Sequence, residues 1–402
     1  MPTIEVMDSD LTRRAAFRTF AAAGLGVAGA AGLSGRAQAG TGTGTPIVKP
    51  TPPELFTLYG SNAEMKWEAM AGQGYLTPID RFFVRDHTRT PLIDASTWRL
   101  TLWGSGLRGS PVEFSYQDLL ALPSETRTAF IECTGNGRSF YTSQQGQTVT
   151  GTPWKLGGIG VACWRGVRLA TVLERAGLTR HAVDLLPRGL DDEYIAGGVN
   201  LGRVRRPLPV AKALDDVLLA YEMNGQPLPP DHGFPVRLVV PSWVGIASIK
   251  WVGDIQVSDQ PLSSPWNTQY YRMFGPGYPP GGGAPLTSQV TKSAFELPWD
   301  ATLAAGRSHV LRGRSWSGNS RIRQVEVSAD GGSSWHRAHR QGPQAPDAWL
   351  PWEFRWRPAT RGSYELLARA TDETGTPQPD QAPYNTLGYL FGAVVRHPVT
   401  VT

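Results

Sequence analysis

The sequence is poor in cysteine. Its 402 residues include two cysteines, Cys133 and Cys163, so at most one disulfide can form and a fold held by several disulfides is excluded. No Cys-x-x-Cys-His segment is present, which excludes covalent attachment of a c-type haem, and no group of cysteines and histidines has the spacing of a zinc site. Thiol chemistry would therefore depend on single side chains. We interpret Cys163, which adjoins Trp164, as structural.

Long apolar runs and runs of basic residues are also missing. The most apolar stretch, residues 20–33, is short and rich in alanine and glycine, so it is not predicted to span a membrane. The net charge is +5, and no run of lysine and arginine alternates with aromatic residues, so a nucleic-acid partner is not predicted. A modest positive charge that converges on a cleft would favour a small anionic substrate.

The first 39 residues carry the features of an export signal. Arg13-Arg14 precedes Phe17 and the apolar stretch, and Ala37-Gln38-Ala39 is a small-x-small cleavage site. The adjacent arginines predict a twin-arginine signal peptide over residues 1–39, of the type that exports folded proteins. An ordinary secretory signal with a basic start is the alternative. We expect a periplasmic or extracytoplasmic protein, and export after folding suits a protein that receives a cofactor in the cytoplasm.

The chain is too long for one ordinary core, which favours two or three domains. A Gly/Thr/Pro linker is predicted over 40–53 and a Gly/Pro-rich linker over 273–285. Between them, residues 54–272 form the predicted first domain, whose start at 54–75 is a mixed segment with helical potential. Residues 286–402 contain short alternating strands at near-regular spacing, which predicts an immunoglobulin-like β-sandwich. The predicted fold class is therefore α+β.

Local signals place several elements in the first domain. Ser115 is a good N-cap for a short helix, and Gly177 should end a helix that covers 169–176. Asn224-Gly225 is a strong hairpin signal. The glycine-rich segment 157–160 is expected to be flexible.

One cysteine lies where a functional group could be presented. Cys133 follows an apolar strand predicted at 128–131, and Arg138 stands five positions further on. A thiolate is a soft metal ligand, and a nearby arginine lowers a thiol pKa and can hold an anion. Taken alone, a cysteine after an apolar strand is more often a small buried hydrophobe. Other parts of the chain decide between these interpretations.

Further polar residues stand at strand ends and loops around apolar runs, where a rigid scaffold presents ligand groups. In the segment that follows the aromatic pair Phe82-Phe83, Arg85 and His87 are two apart and share one face of an extended chain. A phosphate-bearing ligand would need donors of these kinds. Each residue alone would more often be a solvated surface group. The other candidates of this kind are His232, Arg237, Ser248 and Lys250.

Three segments together resemble the sulfite oxidase family of molybdopterin enzymes. The cysteine motif is Glu132-Cys133-Thr134-Gly135-Asn136-x-Arg138, and a second match is Phe82-Phe83-Val84-Arg85-Asp86-His87. The longest match runs from Leu219-Ala220-Tyr221-Glu222-Met223-Asn224-Gly225 through Asp231-His232-Gly233-Phe234-Pro235-Val236-Arg237 to Ile249-Lys250-Trp251. The order and spacing of these segments agree with the family. The resemblance implies a mixed α/β molybdopterin-binding domain followed by a dimerisation domain, and hence a homodimer.

The resemblance also implies roles for individual residues. Cys133 would be the thiolate ligand of a molybdenum ion that a molybdopterin dithiolene also holds. Arg85 and Arg138 would line an anion pocket, Tyr221 would lie at the open side of the metal, and Trp164 would form an aromatic wall. The implied catalytic set is Arg85, Arg138, Tyr221 and Trp164. The implied cofactor-binding set is Phe83, His87, Cys133, His232, Arg237, Ser248 and Lys250.

One position departs from the family pattern. Many members carry an arginine in a C-terminal Asn-x-Arg-Gly segment that adds to the substrate site, whereas this chain has Asn385-Thr386-Leu387-Gly388. Leu387 would remove one positive charge from the anion pocket. The resemblance therefore implies oxidation of sulfite or a similar sulfur oxyanion, with strict specificity for sulfite in question.

Two rival functions remain open on the sequence. On the same cofactor, the enzyme could reduce a sulfoxide or nitrate, or oxidise protein-bound sulfane sulfur. Alternatively, the chain could be an exported binding module in which the sandwich acts and the first domain is a scaffold. No haem-binding domain is expected on this chain, so the electron acceptor would be a separate protein such as cytochrome c or a membrane-linked carrier.

Overall fold

A computed structural model of the chain describes residues 46–402. The predicted signal peptide and most of the first linker lie outside the described residues. The prediction of an α+β fold is confirmed, because a mixed first part is followed by a part built of strands. None of the helices within residues 46–402 has the length and hydropathy needed to cross a membrane.

Within the described residues, the first part contains fifteen strands and five short α-helices. Its strands are β1 (Phe56–Tyr59), β2 (Asn62–Met65), β3 (Val84–Arg85), β4 (Arg99–Trp103), β5 (Val112–Ser115), β6 (Ser124–Glu132), β7 (Ile159–Arg168), β8 (Asp184–Gly189), β9 (Ile195–Ala196), β10 (Val199–Asn200), β11 (Leu208–Pro209), β12 (Leu218–Met223), β13 (Gln226–Pro227), β14 (Arg237–Val239) and β15 (Val252–Ser258). Its helices are α1 (Tyr116–Leu120), α2 (Ser139–Ser143), α3 (Leu169–Arg175), α4 (Val210–Asp215) and α5 (Pro265–Thr268).

Two five-stranded sheets organise the first part. One has the order β11-β8-β15-β4-β5, and in the other β13-β12-β7-β6 is extended by β14, which pairs with β12. The longest pairing joins β6 to β7 in antiparallel register, with Ala129 opposite Ala162 and Glu132 opposite Ile159. Strand β6 ends at Glu132, directly before the cysteine motif. The sheets therefore fix the point at which the motif leaves the core.

The structure confirms three local predictions. The Ser115 side chain accepts a hydrogen bond from the Asp118 amide, and the Asp118 carboxylate accepts one from the Ser115 amide, which makes a capping box at the start of α1. Gly177 follows α3 with φ +83°, and Asn224 and Gly225 have φ values of 53° and 77° between β12 and β13. Positive φ at both turn residues is the geometry that Asn-Gly favours in a two-residue hairpin.

The mixed segment 54–75 has less helix than predicted, and the predicted flexibility of 157–160 was wrong. Residues 56–65 form a β-hairpin, with Phe56 opposite Met65, and only Trp67–Met70 forms a short 3-10 helix. The segment 157–160 is buried, because a Cβ on Gly157 would lie 1.6 Å from the Met65 carbonyl oxygen. Glycine is required here because the two segments approach too closely to leave room for a side chain. Glycine commonly serves this purpose as well as providing flexibility.

The C-terminal part is a β-sandwich, as predicted. Its strands are β16 (Lys292–Phe295), β17 (Ala301–Leu303), β18 (His309–Trp316), β19 (Ile322–Ser328), β20 (His336–Arg337), β21 (His339–Arg340), β22 (Leu350–Trp356), β23 (Gly362–Asp372) and β24 (Arg396–Val401). One sheet has the order β16-β18-β22-β21 and the other β17-β24-β23-β19-β20. Alternate residues such as Leu311, Trp352, Val325 and Leu366 form the core between them.

The sandwich shares a hydrophobic core with the first part. The Trp67 ring lies 5.6 Å from that of Trp316 and 5.9 Å from that of Trp349, both of which belong to the sandwich. The Trp349 indole nitrogen also donates to the Tyr75 carbonyl oxygen at 2.8 Å. Buried aromatic rings contribute large apolar areas, so this contact couples the stability of the two parts.

A buried carboxyl near this junction should make stability depend on pH. Burial raises the pKa of Glu64 to about 7, although it accepts hydrogen bonds from the Gly157 amide and the Tyr59 hydroxyl. The unfolded chain loses this proton near its ordinary pKa, so stability should fall as the pH rises from about 4.5 to 7. The free energy of unfolding of Glu64→Gln should not show this loss. The difference in unfolding free energy between Glu64→Gln and the parent should therefore shift by about 3 kcal/mol in favour of the variant as the pH rises from 4 to 8. Urea unfolding at both pH values measures this, and a pH-independent difference would contradict it.

Candidate functional site

Cys133 lies in a short loop at the end of β6, which we call the cysteine loop (residues 133–138). The Cys133 amide donates to the Gly158 carbonyl oxygen at 2.8 Å, and the Asn136 amide donates to the Cys133 carbonyl oxygen at 2.9 Å. The Asn136 side chain accepts from the Gly158 amide at 2.9 Å. The Gly158 carbonyl accepts one of these hydrogen bonds and the Gly158 amide donates another. The residue directly before β7 therefore holds the cysteine loop in place. The Cys133 thiol is free, and its side chain is half-buried.

The Cys133 side chain lines a cleft, the kind of concave place in which proteins bind cofactors and small ligands. Eight of the predicted site residues meet here, namely Phe83, Arg85, His87, Cys133, His232, Arg237, Ser248 and Lys250. The rest of the lining consists of Phe82, Asp86, Ile131, Thr134, Asp191, Val204, Gly245, Ile246, Ile249, Trp251 and Tyr271. The structure thus brings together most of the predicted site, from segments more than 160 residues apart in the chain.

Two cations of the lining are held by backbone oxygens and one carboxylate. Arg237 donates to the carbonyl oxygens of His232 at 3.0 Å and Ser248 at 3.1 Å. Burial lowers the pKa of Arg237 to about 9, which leaves the guanidinium charged at neutral pH. Lys250 bonds the Asp86 carboxylate and donates to the Asp231 carbonyl oxygen at 2.7 Å. These positive groups suit a phosphate or another anion.

The two histidines of the lining are neutral at physiological pH. Burial, together with nearby cations, lowers the pKa of both His87 and His232 well below its ordinary value. Nε2 of His87 accepts from the Trp266 indole at 2.9 Å, whereas Nε2 of His232 is buried without a partner among residues 46–402. A neutral imidazole can donate or accept at such an atom, so His232 has hydrogen-bonding capacity left for a ligand.

Arg85 supplies an unpaired positive charge next to the thiol. Its Nη1 is buried and has no hydrogen-bond partner in the described part of the chain. Burial pulls the pKa of Arg85 down, whereas Tyr271, Cys133, Tyr389 and Tyr194 together raise it, and the net effect is a raised pKa. An unpaired buried cation is costly unless an anion binds beside it. Arg85 is therefore the strongest indication of an anion site.

Arg138 lies behind this site and does not line the cleft. Its Nε donates to the Leu387 carbonyl oxygen at 2.8 Å and its Nη1 to the Thr152 carbonyl oxygen at 2.8 Å. The guanidinium lies over the Tyr389 ring at 5.4 Å, and its charge acts on the Tyr271 hydroxyl. The backbone of Leu387 thus contacts Arg138 although its side chain carries no charge. Arg138 adds positive potential to the site from a fixed position.

Tyr221 and Trp164 do not lie where the resemblance placed them. Tyr221 packs with Tyr116 at 6.4 Å, in the core on the opposite side of β12 from Cys133. The Trp164 side chain is fully buried and donates to the Ala129 carbonyl oxygen at 3.0 Å. It supports the cleft from behind, since the Arg237 guanidinium lies 5.1 Å above its ring. Neither residue lines the cleft.

A different tyrosine faces the site. Tyr271 lines the cleft, and its ring stacks on that of Tyr389 with centroids 5.2 Å apart. Burial raises the pKa of Tyr271, while Arg85, Arg138 and Arg206 act in the opposite direction. Its φ is 55°, a conformation that a tyrosine adopts only when its surroundings impose it. Sequence reasoning missed Tyr271 because no periodic element or motif marks its segment.

The polar atoms of the cleft fit a molybdopterin cofactor. Thirteen buried side-chain atoms have no hydrogen-bond partner among the described residues, and four of them belong to residues that line the cleft: Arg85 Nη1, Thr134 Oγ1, Asp191 Oδ1 and His232 Nε2. Burial raises the pKa of Asp191 to about 7, so this carboxyl can donate as well as accept. Buried polar groups are normally satisfied, which indicates a polar, anionic ligand next to the thiol.

Comparisons with known proteins agree with this site. Residues 87–266 match the oxidoreductase molybdopterin binding domain family, and residues 287–401 match the Mo-co oxidoreductase dimerisation domain family. Mitochondrial sulfite oxidase of Rattus norvegicus is 35% identical over 358 residues, which cover 85% of this chain and 64% of the relative. Sulfite oxidase of Gallus gallus is 35% identical over 354 residues, which cover 83% of this chain and 74% of the relative.

A solved structure shows the same architecture. The sulfane dehydrogenase SoxCD of Paracoccus pantotrophus superposes with a TM-score of 0.73 and 29% identity, and the match covers 85% of this chain and 84% of that chain. The chain spans just under two thirds of the length of the mammalian sulfite oxidases that it matches, 64% in the rat protein. The cysteine motif, the cleft and these similarities lead to one conclusion: the chain belongs to the sulfite oxidase family of molybdopterin-dependent oxidoreductases.

Proposed function

We propose that the protein oxidises sulfite to sulfate with a molybdenum-molybdopterin cofactor and passes two electrons to a separate acceptor. The observation that carries this proposal is the buried, unpaired Nη1 of Arg85 in the cleft that also contains Cys133. A doubly charged oxyanion would neutralise this cation and satisfy its free donor. Sulfite and water would yield sulfate, two protons and two electrons.

The residues divide into two groups by their chemistry. Cys133 would be the thiolate ligand of the metal, and His232, Arg237 and Lys250 would hold the anionic cofactor. When bound, the molybdenum centre supplies the two-electron redox change and the oxygen atom that sulfite needs. Arg85 and Tyr271 would bind and orient the sulfur oxyanion. Because arginine keeps its charge at any relevant pH, the anion pocket does not depend on a titrating group.

Metal analysis tests the assignment of Cys133. We expect about one molybdenum per chain in protein from a host that makes the cofactor, and loss of most of the metal in Cys133→Ser, since a serine oxygen is a harder and more basic ligand. The matched control is Cys163→Ser, which should retain the metal and the sulfite-dependent reduction of ferricyanide. Parent protein without molybdenum would contradict the proposal, and would favour a binding module.

Oxidation of sulfane sulfur is the second candidate substrate reaction. Two observations favour it, namely the structural similarity to a sulfane dehydrogenase and the uncharged side chain of Leu387 beside the anion pocket. The two reactions differ in substrate, so parallel ferricyanide assays with sulfite and with a protein-bound persulfide separate them. Faster turnover of the persulfide at equal concentration would replace sulfite as the proposed substrate.

We further propose that the protein is exported by the twin-arginine pathway, acts in the periplasm as a homodimer and reduces a cytochrome c. The motif Arg13-Arg14 supports the route, and the match to the dimerisation domain family supports the dimer. Replacement of both arginines by lysine should retain the precursor in the cytoplasm, which cell fractionation detects. Light scattering measures the mass of the mature protein in solution.

A further inference from the structure

The residue before the cysteine is a fully buried carboxylate held by the sandwich. Glu132 is 0% exposed. Its Oε1 lies 2.5 Å from Nζ of Lys292, which begins β16, and its Oε2 accepts from the indole nitrogen of Trp316 at 3.0 Å. Both partners belong to the C-terminal part. An ion pair between the two parts therefore includes the residue directly before Cys133.

Additional hydrogen bonds connect the same groups to the cysteine loop. Lys292 also donates to the Asn136 carbonyl oxygen at 3.0 Å, and the Asn136 side chain donates to Glu132 Oε1 at 2.9 Å. The Gln289 side chain donates to the Glu132 carbonyl oxygen at 2.8 Å. Contacts from the sandwich thus hold the chain on both sides of Cys133, at residue 132 and at residue 136.

The energetics of burial favour a single geometry for this network. Lys292 is 1% exposed, and a charge removed from water requires a close partner of opposite sign and further hydrogen bonds. Any displacement of residues 132–136 would separate the pair or leave a donor unsatisfied, and both outcomes are costly. Apolar side chains of similar size would pack the junction without this directional constraint.

We propose that Lys292 is a positioning residue which, with Trp316 and Gln289, fixes the cysteine loop from the C-terminal sandwich. The inference rests on the proposed function only in that Cys133 is the metal ligand. The sandwich then acts on the site of its own chain as well as forming a dimerisation domain. Lys292 acts through Glu132 and Asn136 and is not among the residues that line the cleft.

Hydrogen–deuterium exchange of the full chain tests the proposal. The double variant E132Q/K292M keeps the junction neutral but removes the ion pair. We expect exchange of the amides of residues 133–138 to accelerate about tenfold or more, because hydrogen bonds to a charged group are lost where the loop opens locally. Q289M removes one bond to the Glu132 carbonyl oxygen and should accelerate the same amides by a smaller factor.

A second buried pair at the same junction provides a matched control. Arg314 on β18 lies 2.5 Å from Glu296 and donates to the Tyr75 and Gly74 carbonyl oxygens at 3.1 and 3.0 Å, away from the cysteine loop. E296Q/R314M should lower the Tm by a similar amount and change loop exchange by less than about twofold. An equal acceleration in this control would overturn the proposal, because it would reflect general destabilisation.

The remaining outcomes are also decisive. Unchanged loop exchange in both E132Q/K292M and Q289M would overturn the proposal, and if the double variant fails to fold, Q289M alone decides. Molybdenum is measured on the same samples, and chains of equal metal content are compared. Parent protein without metal would contradict the proposed function and leave the exchange result valid, whereas unchanged exchange in metal-containing protein would contradict only this inference.

Discussion

Replacement of Arg85 by methionine is expected to lower kcat/KM for sulfite by about 10²–10³-fold, mainly through a higher KM. The buried Nη1 has no partner within residues 46–402, so bound sulfite would be the group that it satisfies. Removing one member of a buried, hydrogen-bonded charge pair costs roughly 2–5 kcal/mol, a factor of about 30 to 5,000, and the expected loss lies in the middle of that interval. Steady-state reduction of ferricyanide at several sulfite concentrations separates KM from kcat.

The control for Arg85→Met is Arg188→Met. Arg188 bonds Asp254 in the sheet β11-β8-β15-β4-β5, and its side chain is about half exposed. Loss of an exposed ion pair changes stability little, so the kinetic constants should stay within about twofold. The molybdenum content of both variants should equal that of the parent. An Arg85→Met protein that keeps its metal and its KM would show that the anion binds elsewhere.

Salt should also distinguish the two arginines. Oppositely charged groups attract less at high ionic strength, particularly when they approach through solvent. We expect the kcat/KM of the parent to fall with added inert salt and that of Arg85→Met to fall less, because part of the steering charge has gone. Arg188→Met should follow the parent.

The sequence predicted the donors of the cleft well because each lies in a short segment with its own local signal. Cys133 follows strand β6, whose last four residues are buried, and Arg85 ends β3 two positions before His87. His232 and Lys250 lie at turns between apolar strands. The alternation of side chains along a strand and the position of a strand end determine the direction of such side chains. Both the type of the functional group and its location can therefore be inferred from the sequence.

The position of Tyr221 could not be inferred in the same way. Leu218 and Ala220 pack in the core that includes Cys133, while Leu219 and Tyr221 pack in the opposite core. Successive residues of a strand point to opposite faces, and the pairing of β12 with β7 shifts register between Ala220 and Glu222. The strand was predicted, but no sequence feature showed which of its faces lies towards the cleft.

The residues from distant segments were the hardest to predict. Lys292 stands among Thr291, Ser293 and Ala294, which show no alternation, and its partner Glu132 is 160 positions earlier. Tyr389 reaches the site because the Asn385 side chain holds its backbone, accepting from the Tyr389 amide at 2.8 Å. Such contacts depend on how the sandwich packs against the first part, which periodicity and local propensity do not specify.

The Tyr271→Phe variant should lose about 10²-fold in kcat/KM, while Tyr221→Phe should stay within about twofold of the parent. The Tyr271 side chain lines the cleft beside Arg85, so its hydroxyl can hydrogen-bond the oxyanion as charge develops on it. Removal of one such donor typically costs 10²–10³-fold. Tyr221 is 2% exposed in a core away from the thiol.

Each of the two substitutions removes one tyrosine hydroxyl. A difference in activity between the variants therefore reports where the hydroxyl lies and not the loss of a hydroxyl as such. Both proteins should retain molybdenum and unfold within about 1 kcal/mol of the parent, since a single hydrogen bond has a small net effect on stability. Assays with sulfite and ferricyanide from pH 6 to 9 give kcat and KM for each. If Tyr221→Phe were the impaired variant, the cleft that contains Cys133 would not be the site of the proposed reaction, because Tyr221 could not reach it without repacking β12 and the core that contains Tyr116.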